Sequence, residues 1–139
     1  MKTPFFVLFC MALAAPAWAG GDSLTVNLAG LKNDRGNVRV GLYADPATFR
    51  KEASAVAIRQ VPATAGSLSV RFDDLPAGTY AIMAYHDEDA NGELNRRFGM
   101  FPTEGYGLSN NPKISGPPRF ADSAFQVDGS TQINIDITY

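Results

Sequence analysis

The chain has 139 residues, of which 45% are hydrophobic, and it carries a formal net charge of −2. This length and apolar content suit one domain with a full hydrophobic core. There is no basic excess, which argues against a nucleic-acid partner and against electrostatic binding to an anionic membrane surface.

The first 19 residues have the pattern of a secretory signal peptide. Lys2 supplies a positive start, residues 5–15 form an apolar run, and Ala17-Trp18-Ala19 matches an A-x-A cleavage site. The apolar run is shorter than the roughly 20 residues that a membrane-spanning helix requires. We therefore expect residues 1–19 to be removed and the protein to be exported, to the periplasm or the extracellular medium, without a membrane span.

The only cysteine, Cys10, lies inside this predicted leader. An exported chain without cysteine has no disulfides to stabilise it. Its stability must come from a packed core, so residues 20–139 are predicted to fold as one domain.

Alternation of apolar and polar residues with period 2 dominates the rest of the chain and indicates half-buried strands. The segment from Tyr80 to Tyr85 is apolar at every position and is predicted to be a central strand. Asp45 and Pro46 are suited to the first positions of a short helix over residues 45–52. The other predicted strands cover residues 24–28, 38–42, 68–72 and 133–137, with weaker candidates at 56–61 and 124–127.

Short strands at regular spacing with little helix indicate an all-β fold, a single antiparallel β-sandwich of about seven strands. The alternation stops from Asp87 to Asp122, a segment rich in glycine and proline that also holds aromatic residues. A long loop inside a small domain is usually functional or disordered, and aromatic residues favour an ordered one. We expect this loop to fold over one end of the sandwich.

The loop begins with the motif D-x-D-x-N-G, which is typical of calcium-binding loops. Asp87, Asp89 and Asn91 match the first three ligand positions, and Gly92 matches the sharp turn that follows them. The main-chain carbonyl of Glu93 would be the next ligand. These residues predict a calcium site directly after the central strand.

The match to an EF-hand is incomplete. Its twelfth position requires a bidentate glutamate, and Phe98 stands there. A ligand from elsewhere, Glu104 or Asn95, would have to complete the coordination shell. The alternative is a metal-free polar loop in which Asp and Asn side chains cap the backbone of successive turns.

Three further residues of this region are candidates for a functional role. His86 is the only histidine, and its strand parity places it at the edge of the core, where a hydrogen-bonded structural role competes with that of a base. Ser109 lacks the second glycine of a nucleophile elbow, and Tyr106 is one of the aromatic residues of the loop. Because no catalytic set is evident, we expect a non-enzymatic protein.

Several motifs in order along the chain resemble the bacterial exported family catalogued as domain of unknown function 2141. The resemblance implies a small exported bacterial protein with no assigned activity. It is carried by residues 74–82, 86–92, 98–99, 102–111 and 116–120.

The segment from Leu75 to Tyr80 also resembles a strand entry of transthyretin-like (prealbumin-like) sandwiches. These include carboxypeptidase regulatory-like and collagen-adhesin B-type modules. The resemblance implies a binding or spacer domain, at the level of the fold only.

Three functional hypotheses remain. The first, which we favour, is an exported non-enzymatic β-sandwich that binds calcium, and an unknown protein or small ligand, through the loop of residues 86–120. The second is a hydrolase or sugar-processing enzyme that uses Asp87, Glu104 and His86 at the end of the sandwich. The third is a metal-free structural or accessory protein of the cell envelope.

Overall fold

Strands account for most of residues 21–139, which are the residues described by the computed structural model. The predicted signal peptide, residues 1–19, lies outside the described residues. Besides the strands there are a 3-10 turn at Glu52–Ser54 and one helical turn, α1, at Phe120–Ser123. The strands are β1 (Asp22–Leu31), β2 (Asn37–Tyr43), β3 (Ala57–Pro62), β4 (Gly66–Leu75), β5 (Gly78–Asp87), β6 (Arg96–Arg97), β7 (Phe101–Pro102), β8 (Tyr106–Leu108), β9 (Phe125–Val127) and β10 (Ser130–Asp136).

The long strands form two sheets, which confirms the all-β class. The first sheet has the order β10-β1-β4, and the second has the order β3-β2-β5-β8, with β9 pairing a different part of β5. One pair departs from the predicted antiparallel arrangement, because β10 runs parallel to β1 with Val26 opposite Ile133. Parallel neighbours need a long connection, and here nearly the whole domain lies between the two strands.

The core lies between the two sheets and follows the predicted alternation. Leu24, Val26 and Leu28 of β1 are fully buried, and Ile82 and Ala84 of β5 face them from the second sheet. Full burial of one large aliphatic side chain contributes roughly 1.5–3 kcal/mol. The inward residues of the strands therefore supply the main stabilisation of the domain.

β5 is buried on both faces, which confirms its prediction as a central strand. Ala81 and Met83 point away from the sandwich core, to the face of the second sheet that we call the outer face. The long loop packs across this outer face rather than over one end only. A second apolar cluster forms there from Tyr43, Phe49, Ala81, Met83 and Leu108, with Leu94, Tyr106 and Phe120 packed against it.

The prediction of a helix over residues 45–52 is wrong. Asp45 does cap the backbone, since its Oδ1 accepts a bond from the Ala47 amide at 2.9 Å, but the segment forms only turns before the 3-10 turn. Arg50 adopts φ of 70°, which is incompatible with a continuing helix. The turn instead buries Phe49 edge-on against Tyr43, with ring centroids 5.5 Å apart.

Within residues 21–139, neither helical segment has the length or apolar character needed to cross a membrane.

Candidate functional site

Three carboxylates meet where β5 runs into the long loop. Asp87, Asp89 and Glu104 each contribute an oxygen, and these oxygens all lie within 4.8 Å of one another. Asp87 and Glu104 are 1% and 5% exposed, whereas Asp89 faces solvent. None of the salt bridges within residues 21–139 involves these three groups. The cluster therefore concentrates negative charge that is not neutralised by a side chain of the described protein.

The backbone after Asp87 curls around its carboxylate. Oδ1 accepts a bond from the Asn91 amide at 3.1 Å, and Oδ2 accepts one from the Gly92 amide at 2.8 Å. Ala90 and Gly92 adopt φ of 54° and 78°, left-handed conformations that glycine tolerates best. These turns bring Asp89 back beside Asp87. Each Asp87 oxygen still has a lone pair available.

Glu104 reaches the cluster from the far side of the loop, just before β8. Its Oε1 accepts a bond from the Glu88 amide at 3.1 Å, and its Oε2 accepts one from the Asn95 amide at 3.1 Å. Burial raises the pKa of Glu104, and the negative charges of Asp89 and Asp87 add to this effect. The hydrogen bonds act in the opposite direction.

Asn95 joins the carboxylates to one another. Its Nδ2 donates to Asp89 Oδ2 at 2.7 Å and lies 3.4 Å from Glu104 Oε1. Its Oδ1 accepts a bond from Asn91 Nδ2 at 2.6 Å. The bond from Asn95 is the main reason why the pKa of Asp89 is lowered. An amide donor thus stands beside two of the three carboxylates.

The structure brings together part of the predicted ligand set. Asp87, Asp89 and Glu104 converge, and Asn95, the other residue considered for completing the shell, contacts two of them. Asn91 and Glu93 lie on the exposed side, where Asn91 Oδ1 accepts a bond from the Glu93 amide at 2.9 Å. Calcium binding itself stays a prediction.

His86 is sealed in the core with 0% exposure. Its Nε2 lies 2.7 Å from the Arg35 carbonyl oxygen and must donate to it, so Nδ1 accepts a bond from the Tyr139 hydroxyl at 2.6 Å. Both ring nitrogens are therefore occupied in the neutral form. This geometry supports the structural interpretation of His86 and does not support its use as a base.

Ser109 is also buried and fully engaged. Its Oγ accepts a bond from the Ile82 amide at 2.9 Å and donates to the Ser123 carbonyl, while its own amide donates to the Ile82 carbonyl at 3.0 Å. These bonds fill the gap on the edge of β5 between its pairings with β8 and β9. Ser109 therefore extends the edge of the sheet, and its buried, hydrogen-bonded hydroxyl is not available as a nucleophile.

Tyr106 is half-buried in β8, and its main chain exchanges two bonds of 3.0 Å with Thr138. Its side chain contributes to a groove on the outer face, beside Met83 and Phe101. The sequence did not reveal this groove, because its walls come from segments with no shared periodicity.

The short hairpin formed by β6 and β7 stands above this groove. Phe98, Met100 and Phe101 on the hairpin are 83%, 67% and 60% exposed. Large exposed apolar side chains grouped in this way are typical of interaction sites. In the sequence, the aromatic residues of the loop were the only signal of this exposed apolar surface.

Comparison with known proteins gives a family but no described relative. The profile of a family described as "Uncharacterized protein conserved in bacteria (DUF2141)" matches residues 26–134. No curated protein and no solved structure matches the chain.

Proposed function

Because the chain belongs to the DUF2141 family of bacterial proteins, whose description assigns no activity, we propose a function from its own geometry. The protein is an exported, non-enzymatic β-sandwich that binds calcium at Asp87, Asp89 and Glu104. It binds a further ligand or partner through the loop of residues 86–120.

The carboxylate cluster is the observation that carries the calcium proposal. Three carboxylate oxygens lie within 4.8 Å of one another, and two of them belong to buried residues. Like charges repel one another more strongly when they are partly removed from water. A divalent cation that prefers oxygen ligands replaces this repulsion by attraction. Calcium suits the cluster because it accepts six to eight oxygens in a flexible geometry.

Asn95 is the residue that would respond to the ion. Its amide nitrogen now donates to Asp89, and a cation cannot share that position with an N–H group. Rotation of the amide exchanges the nitrogen for Oδ1, which is a suitable calcium ligand. The Glu93 carbonyl, Asn91 and water remain as further oxygen sources.

Calcium at this position would also act on the hairpin above the groove. Glu104 Oε2 accepts the Asn95 amide, and the Thr103 amide donates to the Asn95 carbonyl at 2.8 Å. These bonds close the base of the β6–β7 hairpin. An ion held by Glu104 and Asn95 stabilises that base and with it the exposed apolar side chains that the hairpin presents.

The two alternatives differ in the support they receive. The hydrolase hypothesis needs accessible groups, but Asp87, Glu104 and His86 are all buried. The metal-free structural hypothesis is supported by a specific observation, since one backbone amide donates to each Asp87 oxygen without any ion. It therefore remains the second candidate.

Thermal unfolding in calcium and in a chelator separates the two candidates. A ligand at 100 times its dissociation constant stabilises the native state by about 2.7 kcal/mol, which raises the midpoint of a domain of this size by several degrees. The shift should disappear in Asp89→Asn. It should persist in Asp128→Asn, which removes the same charge from an exposed turn beyond β9, at the opposite end of β5. An unshifted midpoint in the unmodified protein would support the metal-free alternative.

A further inference from the structure

The groove under the β6–β7 hairpin has the dimensions of a small-molecule site. Its volume is about 560 Å³, within the range of roughly 300–1,000 Å³ that is usual for ligand pockets. One wall is the outer face of the second sheet, and the other is the hairpin with the segment of residues 114–118. The apolar side chains that line it are Met83, Leu94, Met100, Phe101, Tyr106 and Ile114.

The charged residues that line this groove are both cationic, Arg50 and Arg96. Neither guanidinium forms a salt bridge within residues 21–139. The Nε of Arg50 is buried and has no hydrogen-bond partner among the described residues. A buried donor without an acceptor destabilises the free protein. An anion placed in the groove would pair with this guanidinium, whose positive charge is not neutralised by a salt bridge within residues 21–139.

Arg50 is held in place by its neighbours. Phe49 is fixed in the apolar cluster between Tyr43 and Phe120, with ring centroids 5.5 Å and 5.8 Å away. Arg50 itself has φ of 70°, a conformation that side-chain-bearing residues adopt at a cost. Strained residues of this kind cluster at ligand sites. Packing of Phe49 thus fixes the backbone from which the Arg50 side chain projects into the groove.

Nearby acidic groups limit how much negative charge the ligand can carry. Glu52 and Glu93 line the depression on the other side of Arg50. Glu52 is already paired with Arg39 at 2.9 Å, whereas Glu93 is exposed. A monoanion is favoured over a dianionic phosphate in this setting. The planar guanidinium also matches a carboxylate through two parallel hydrogen bonds.

We propose that the groove binds a carboxylate on an apolar body, of the fatty-acid class, with the carboxylate on Arg50 and the chain along the apolar walls. Arg96 lies at the hairpin side and adds a second positive charge. The inference rests on the ligand-binding part of the proposed function and is independent of the calcium part.

The test is calorimetric titration of the purified protein with dodecanoate and with dodecanol, below the concentrations at which they aggregate, in calcium and in a chelator. Dodecanoate should bind with one-to-one stoichiometry and at least about tenfold more tightly than dodecanol, because only the acid makes charge-assisted bonds. Arg50→Met should reduce the affinity for dodecanoate to that for dodecanol. Lys51→Met, which removes the same charge from the exposed neighbouring side chain, should change neither affinity.

Arg50→Met is expected to fold, since it removes a donor that has no acceptor. Arg96→Met, on the exposed hairpin, is a second variant with a smaller expected loss of dodecanoate affinity. Equal affinities for acid and alcohol, an unaffected Arg50→Met, or no saturable binding in either condition would overturn the proposal. Binding to phosphatidylglycerol vesicles that survives Arg50→Met but is lost in Phe98→Ser would also overturn it, in favour of membrane docking by the hairpin. Saturable, Arg50-dependent binding without a calcium shift would refute the calcium site alone.

Discussion

The hydroxyl of Tyr139 donates a hydrogen bond to Nδ1 of the buried His86 at 2.6 Å. The same oxygen accepts a bond from the Lys32 amide at 3.0 Å, and Nε2 of His86 donates to the Arg35 carbonyl at 2.7 Å. The turn between β1 and β2 and the C-terminal residue Tyr139 are therefore both tied to the imidazole of His86. This chain of bonds closes the end of the sandwich next to the carboxylate cluster.

Tyr139→Phe is expected to lower the free energy of unfolding by about 1–3 kcal/mol, because it leaves Nδ1 of the fully buried His86 without its hydrogen-bond partner. Urea unfolding measures the change, with an unaltered slope against denaturant. Tyr106→Phe is the control, since the Tyr106 hydroxyl has no hydrogen-bond partner within residues 21–139. Equal stabilities of the two variants would show that the bond to His86 adds nothing.

How far the sequence predicts this fold depends on whether a signal is local. The apolar run of β5 and the inward parity of His86 are local, and both are confirmed. The parallel pairing of β1 with β10 is set by contacts between distant segments, so alternation within either strand does not reveal it. The helix predicted from Asp45 failed because burial of Phe49 outweighed the helix-start signal.

The same distinction between local signals and contacts of distant segments applies to the candidate site. Asp87 and Asp89 were identified by a local motif, and the need for a distant ligand pointed to Glu104. The groove and Arg50 were missed. A lone arginine in a turn has no pattern, and its isolation from any acceptor becomes visible only when the outer face and the hairpin are seen together.

On acidification, the contribution of Glu104 to stability should rise in a chelator, whereas the stabilisation that calcium adds should shrink. The pKa of Glu104 is raised in the folded state, so the folded protein binds this proton more tightly than the unfolded chain. For this group, stability in a chelator therefore rises as the solution is acidified from neutral pH toward the raised pKa. Protons compete with calcium for the same carboxylate, so the calcium-induced rise in midpoint should shrink as the pH falls. A calcium increment that is equal at neutral and at acidic pH would contradict the assignment of Glu104 as a ligand.

The proposed export predicts that the processed protein begins at one defined residue. When the full chain is produced in a bacterial host with a periplasm, the intact mass of the periplasmic product should correspond to a chain that begins at Gly20. Ala19→Arg should block cleavage and leave the precursor with the membrane fraction, because the cleavage site requires small residues. Ala29→Arg, an exposed substitution outside the leader, is the matched control for the added charge. Recovery of the full-length chain in the cytosol would contradict export.

Ser109→Ala should loosen the edge of β5. The substitution leaves the buried Ile82 amide and the Ser123 carbonyl without a side-chain partner, at a cost of about 1–3 kcal/mol. Hydrogen exchange should accelerate at the Ile82 amide in particular, since its bond to Ser109 Oγ is lost. Ser115→Ala, at an exposed position of the same loop, should change neither stability nor exchange. Unchanged protection of the Ile82 amide would show that the bond to Ser109 is not what protects it.

For the variant Asn95→Asp, the calcium proposal and the metal-free alternative predict different unfolding midpoints in calcium. In a chelator the variant loses the donor to Asp89 and adds a fourth carboxylate, so the unfolding midpoint should fall by several degrees. In calcium the added carboxylate is a stronger ligand than the amide, so the affinity for calcium should rise and the midpoint should recover. Gln132→Glu, which introduces the same charge at an exposed position of β10, should show neither effect. An equal loss of stability in both conditions would show that Asn95 acts only as a hydrogen-bond donor that caps the loop. A bound cation is needed for the extra negative charge to stabilise the folded protein rather than destabilise it.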